Sequence, residues 1–220
     1  MDRRLGVDRP EGFPFNLNSA VDHLLKKEFD VYRKQKKSHP LMKKHGVDAV
    51  PFWHEEFEEW RENFKGVQVH HQPSNFIFTG AVDDVWVKPN GELIVVDYKA
   101  TSKDGEITMD DEWKDGYKRQ MEIYQWLLRN KGFKVSDTGY FVYANGRKDP
   151  DGFYEQMLFT VALLPYTGQS NWVEQALMNA RQCLMGESLP KPDESCDYCA
   201  YRHASEKVER TNKFLNGSLF

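Results

Sequence analysis

The stretch Gly80–Lys103, GAVDDVWVKPNGELIVVDYKATSK, constrains this chain more than any other part of it. Lys88-Pro89-Asn90-Gly91-Glu92 reads as a hairpin turn. Proline suits the first central position of a type I turn, and glycine tolerates the left-handed position that closes a three-residue loop with a bulge. In that register Lys88 pairs with Glu92, and counting back sets Asp83 directly opposite Asp97. Side chains alternate along a strand, so Lys99, two residues beyond Asp97, projects from the same face. Two carboxylates and an ammonium therefore converge on one side of an otherwise apolar ribbon.

Carboxylates directly opposite one another repel, and burying them unpaired is costly or shifts their pKa values. A bound Mg²⁺ or Mn²⁺ resolves the conflict, because hard divalent cations take carboxylate oxygens and keep waters for chemistry. The peptide carbonyl of Tyr98, between the charged positions, offers a further oxygen. Lys99 is then placed to orient or deprotonate an attacking water and to stabilise charge on a phosphate. The plainer alternative is an Asp97–Lys99 salt bridge at a sheet edge; the apolar run Leu93-Ile94-Val95-Val96 argues instead for a central strand.

The rest of the chain supplies the frame. Its 220 residues, 40% apolar and 14% aromatic, predict one well-cored domain spanning 1–220, with a core over about 66–164, N-terminal helices over 18–64 and a C-terminal helix and cysteine-containing tail over 168–220. A net charge of −4 neither requires nor excludes nucleic acid. No signal peptide or membrane span is expected, and three cysteines make no disulfide framework, so a cytoplasmic setting is expected. Ser19 is a candidate cap for a helix carrying Val21, Leu24, Leu25, Phe29 and Tyr32 at helical spacing. Its basic end, Arg33, Lys34, Lys36 and Lys37, reads as a solvated last turn or as a phosphate-contacting patch. A loop over His39–Pro51 and a Glu/Trp-rich helix over Phe52–Phe64 follow. Strands are predicted at Val67–His71, Asn75–Val87, Glu92–Lys99, Thr138–Ala144 and Tyr154–Leu163. Helices are predicted at Asp111–Lys131, closed by Gly132, and at about Asn171–Met185, before a Cys-rich turn and a polar tail. This order implies an α/β fold, a mixed sheet flanked by helices.

Gly80-x-x-Asp83 followed by an apolar strand ending Asp97-Tyr98-Lys99 resembles the core of the PD-(D/E)XK nuclease superfamily, specifically its RecB-like branch. Gln120-x-x-x-Tyr124 resembles the Gln/Tyr motif that follows the catalytic lysine in that branch. On a helix, Tyr117, Gln120, Tyr124 and Leu128 share one face, so Gln120 is either a satisfied buried amide or a group that contacts DNA or supports the site. The resemblance implies a restriction-endonuclease-like fold and Mg²⁺- or Mn²⁺-dependent DNA hydrolysis, similar to RecB-type exonucleases and the nucleases of CRISPR adaptation. DNA is then the partner, with a helicase or another repair or defence protein beside it. A non-catalytic DNA-binding or assembly module that kept the fold is the alternative. Asp83, Asp97 and Lys99 take the catalytic positions, and Asp83, Asp97 and the Tyr98 carbonyl hold metal.

Related enzymes add an upstream ligand, and His54 is the candidate here, ahead of Glu55, Glu58, His70 and His71. The tail CDYCAYRHAS is similar to the C-terminal part of a four-cysteine iron–sulfur site. Cys196 and Cys199 match two of its positions, Ser205 stands at the third, and the N-terminal helix offers none, so no iron–sulfur cluster is expected. Cys183, Cys196, Cys199 and His203 could instead bind zinc, or the segment is a metal-free remnant in which Tyr198 and Tyr201 pack.

Overall fold

A computed structural model of the chain describes residues 7, 10, 16–111, 114–188 and 190–211. Residues 16–181 form one compact unit, and the described residues outside that range belong to a second. The alternating apolar pattern of the hairpin organises the first. β4 (Asp84–Val87) and β5 (Leu93–Thr101) pair antiparallel, with Val87 opposite Leu93 and Asp84 opposite Val96. β5 also runs parallel to β6 (Thr138–Gly146), which needs a crossover, and α4 (Asp115–Asn130) provides it. With β1 (Val50–Pro51) and β7 (Phe159–Thr167) they make a five-stranded mixed sheet of order β1-β4-β5-β6-β7.

β5 is central and buried on both faces. Leu93 and Val95 pack with Phe141, Met121, Leu127 and Leu128 on the α4 side. Ile94, Val96 and Tyr98 pack with Trp86, Val142, Leu25 and Phe29 on the side of α1 (Asn16–Gln35). Phe29 of α1 stacks on Trp86 at a centroid distance of 5.6 Å. The mixed sheet flanked by helices is the expected α/β class.

Several elements differ from the sequence reading. Ser19 lies inside α1 and is not its cap. The expected loop holds α2 (Pro40–Lys44), which His39 caps by accepting from the Leu41 N–H at 3.1 Å. The long Glu/Trp helix shrinks to α3 (Phe57–Trp60), because Phe52 is still strand-like, donating its N–H to Val85 O at 2.8 Å. The strand expected over Asn75–Val87 breaks in two. β3 (Phe76–Gly80) pairs with β2 (Val67–His71) in a separate two-stranded sheet, and Val82 N–H then turns to Trp60 O at 3.0 Å before β4 begins. β7 starts later than expected, because Tyr154 and Glu155 take positive φ values of 43° and 59° that no strand accommodates. α5 (Trp172–Met185) matches expectation, whereas the supposed polar tail contains α6 (Asp197–Thr211). Among the described residues no helix is long and apolar enough to cross a membrane.

Candidate active site

The hairpin turn forms as its residues require. Gly91 adopts φ +80° and donates its N–H to Lys88 O, and Lys88 N–H donates to Glu92 O, both at 2.9 Å. Extending the β4–β5 register by one pair beyond Asp84–Val96 sets Asp83 across from Asp97. Asp83 itself lies in the bend before β4, and its Oδ2 accepts the Tyr98 N–H at 3.0 Å. The N–H and C=O of one strand residue point the same way, so the Tyr98 carbonyl also faces this edge, past the end of β4.

Asp97 is 2% exposed. Lys99, two residues on, pairs its ammonium with Asp97 Oδ2, but the approach lacks hydrogen-bond geometry, and that buried oxygen has no hydrogen-bond donor. Burial first, and then the Asp83 charge, raise the Asp97 carboxyl from 3.8 to about 7, against the opposing pull of Lys99. The Lys99 ammonium also sits 4.5 Å above the centre of the Tyr117 ring. Asp83, Asp97 and Lys99 are thus brought together as the register and alternation required.

Gln120 and Tyr124 join this face from α4. Gln120 Nε2 donates to the Tyr124 hydroxyl at 2.7 Å. Burial, with added repulsion from the Asp97 and Asp83 charges, pushes the Tyr124 hydroxyl well above its ordinary pKa. Gly80 explains the start of the Gly-x-x-Asp motif: a Cβ there would lie 2.8 Å from the Tyr124 ring. The tyrosine packs where any larger residue would collide.

Other expected ligands lie apart. His54 is stacked on Trp60 at 4.6 Å and meets Phe133 edge-on at 5.6 Å, while its Nδ1 accepts the Glu56 N–H at 3.2 Å. These aromatic partners hold it, and the structure does not gather it with Asp83 and Asp97 into a three-residue metal-binding group. His71 is bonded to Ser74 and Glu174, each at 2.6 Å, and exposed His70 to Asn75 at 2.9 Å. Glu55 and Glu58 are exposed. Cys183, Cys196 and Cys199 are free thiols; Cys199 and His203 line one cavity, but among the described residues no group of three or more His, Cys, Asp or Glu is set to hold a metal.

Sequence reasoning missed two sets of residues. From α1, the Lys26 ammonium bridges Asp22 Oδ2 at 2.9 Å and Asp83 Oδ1 at 3.0 Å. Burial works against that charge, but the Asp83 and Asp22 carboxylates hold Lys26 above its ordinary pKa. Burial and the Asp83 charge in turn raise Asp22. On the opposite face, fully buried Asp84 accepts from Arg33 Nη2 through Oδ1 and from the Tyr98 hydroxyl through Oδ2, both at 2.5 Å. Asp30 joins Arg33 at 3.0 Å and Arg61 at 2.9 Å, and both guanidiniums lie over the Phe57 ring. Arg33 is only 5% exposed, so the basic helix end is not simply a solvated turn. The sequence signal was a stripe of charges, Asp22, Lys26, Asp30 and Arg33, running beside the apolar positions Leu25 and Phe29.

The residues present suit a hard divalent cation. Two carboxylates face each other, one of them has a buried oxygen met only by the Lys99 ammonium, and a backbone carbonyl points to the same edge. Compared with known proteins, residues 9–204 match the family model described as the PD-(D/E)XK nuclease superfamily. No curated protein matches the chain.

Proposed function

Because the chain belongs to the PD-(D/E)XK nuclease superfamily, we propose that it hydrolyses phosphodiester bonds in DNA with Mg²⁺ or Mn²⁺, through Asp83, Asp97 and Lys99. The observation that carries this reading is the meeting of those three side chains on one face at the end of β4. Asp83, Asp97 and the Tyr98 carbonyl would hold the ion, which supplies Lewis-acid polarisation of the phosphate and a more acidic water. Lys99 would orient that water and offset charge growing on the phosphate oxygens; its contact with Asp97 keeps the ammonium beside the reacting position. Tyr124, fixed against Gly80 and bonded to Gln120, would shape the wall of the site and present Gln120 to DNA.

The finer assignment is to the RecB-like branch, supported by Gly80-x-x-Asp83, Asp97-Tyr98-Lys99 and Gln120-x-x-x-Tyr124 in that order. It makes the protein an exonuclease-type enzyme of DNA repair, recombination or defence, similar to RecB-type and CRISPR-adaptation nucleases. We place it in the cytoplasm as one functional nuclease domain, working beside a helicase or another repair or defence protein. With two of four cysteine positions missing, we assign no iron–sulfur cluster, and purified protein should be colourless.

Digestion of linear, circular and single-stranded DNA with Mg²⁺, Mn²⁺ or EDTA tests the reading. Metal-dependent cleavage lost in Asp97→Asn and Lys99→Ala supports it, and an end requirement supports the exonuclease assignment. DNA binding without cleavage under every condition points to the non-catalytic module instead.

A further inference from the structure

Lys26 occupies a place that the chemistry above does not use. Its ammonium lies 3.0 Å from Asp83 Oδ1 and 2.9 Å from Asp22 Oδ2, and its side chain is 21% exposed. Asp83 Oδ2 is already engaged by the Tyr98 N–H at 3.0 Å, so both oxygens of this carboxylate have partners without any metal. The carboxylates of Asp22, Asp83 and Asp97 meet the ammoniums of Lys26 and Lys99, which leaves a single net negative charge when all are ionised. In effect Lys26 is a cation seated on the carboxylate that Asp97 faces.

A divalent ion entering between Asp83 and Asp97 meets that ammonium at close range, where two cations repel strongly. Lys26 has somewhere to go. Asp22 sits one turn earlier on the same helix and remains its partner when the contact to Asp83 opens. A lysine stem is flexible enough to make the move without shifting the helix.

We propose that Lys26 is an exchangeable counter-cation of the active site, neutralising Asp83 in the metal-free protein and displaced onto Asp22 when the divalent ion binds. The proposal rests on Asp83 and Asp97 being the metal-binding pair. Lys26 holds Asp83 only in the metal-free form, so removing its charge costs that form the Asp83 contact on top of the Asp22 pair that both forms lose. The thermodynamic cycle requires the extra stability lost from the metal-free form to reappear as tighter metal binding.

The test measures Mn²⁺ binding by calorimetry without nucleic acid, and thermal melting in EDTA and in saturating Mn²⁺. The proteins are wild type, Lys26→Met, Lys26→Gln, Asp22→Asn and Asp97→Asn. Both Lys26 variants should bind Mn²⁺ about 3–10-fold tighter, since a partly exposed ion pair is of that strength. Relative to wild type, their melting temperature should fall more in EDTA than in Mn²⁺. Asp22→Asn should bind Mn²⁺ more weakly, having lost the landing place for the ammonium. An equal fall in melting temperature in both conditions would make Lys26 a structural ion pair and overturn the exchange. So would unchanged or weaker Mn²⁺ binding in both Lys26 variants. If wild type binds Mn²⁺ and Asp97→Asn does not, those failures count against the exchange alone. If wild type does not bind Mn²⁺, the metal-site reading falls and the exchange falls with it.

Discussion

Asp97 carries a burden in the folded chain that the proposed metal would reverse. Its carboxyl is raised from 3.8 to about 7, so between those values the folded chain keeps a proton that the unfolded chain gives up. Stability contributed by this group is therefore full below about pH 4 and lost as pH rises toward 7. In EDTA, the melting-temperature difference between Asp97→Asn and wild type should grow in the variant's favour on going from about pH 5 to pH 8. Activity of the same variant should fall ~100-fold or more, because an amide is a poor ligand for a hard cation. Lys99→Ala should behave differently: Mn²⁺ should still bind in calorimetry, with hydrolysis lost. Full activity in both variants would remove the proposed site. His54→Ala provides the contrast. Its ring is held by Trp60 and Phe133, so the variant should lose some stability while its Mn²⁺ affinity stays within about twofold of wild type. A large loss of metal affinity would return His54 to the site.

The bend before β4 and the first residue of β4 carry consecutive carboxylates, and the two have different work. Asp83 faces the site, and Asp84 is fully buried against Arg33 on α1. Removing Arg33 leaves the buried Asp84 charge to the Tyr98 hydroxyl and the more distant Arg61. Arg33→Met should cost ~3 kcal/mol in urea unfolding, and the double variant Arg33→Met/Asp84→Leu should recover part of that loss. Equal stability of wild type and Arg33→Met would show that Arg61, 3.7 Å from Asp84, suffices alone. The elements also show what was legible beforehand. The Asp83–Asp97 register could be counted from the sequence, because a turn built on Pro89 and Gly91 leaves the flanking strands little choice of pairing. The break before β4 was not legible, since Ala81 and Val82 are apolar and continue the strand-like run, and only the Trp60 carbonyl shows where the ladder stops. Asp22 and Lys26 were hidden for another reason: four residues apart on a helix, they look like any surface ion pair until the sheet edge is in view.

Across the whole molecule, local signals sufficed where the pattern was strong and failed where polar helices imitate loops. The sheet class followed from strand composition and order, but α6 carries so many charges that its sequence reads as a tail. An upstream ligand could not be found by residue type, because His54 has the right chemistry and an aromatic setting that only the fold reveals. Tyr98 is where the two sides of the sheet meet. Its N–H holds Asp83 on one side, and its hydroxyl holds Asp84 on the other. That arrangement makes one backbone amide a native reporter. Most strand amides exchange with deuterium only when the ladder opens, but this one is protected by a side-chain carboxylate. Its exchange rate should therefore respond to events at Asp83 that leave the other β5 amides unchanged. Asp83→Ala should accelerate exchange at Tyr98 alone among them, and Mn²⁺ should alter it in wild type. A strand laid down to build the core would then signal, through a single hydrogen, whether the site above it is filled.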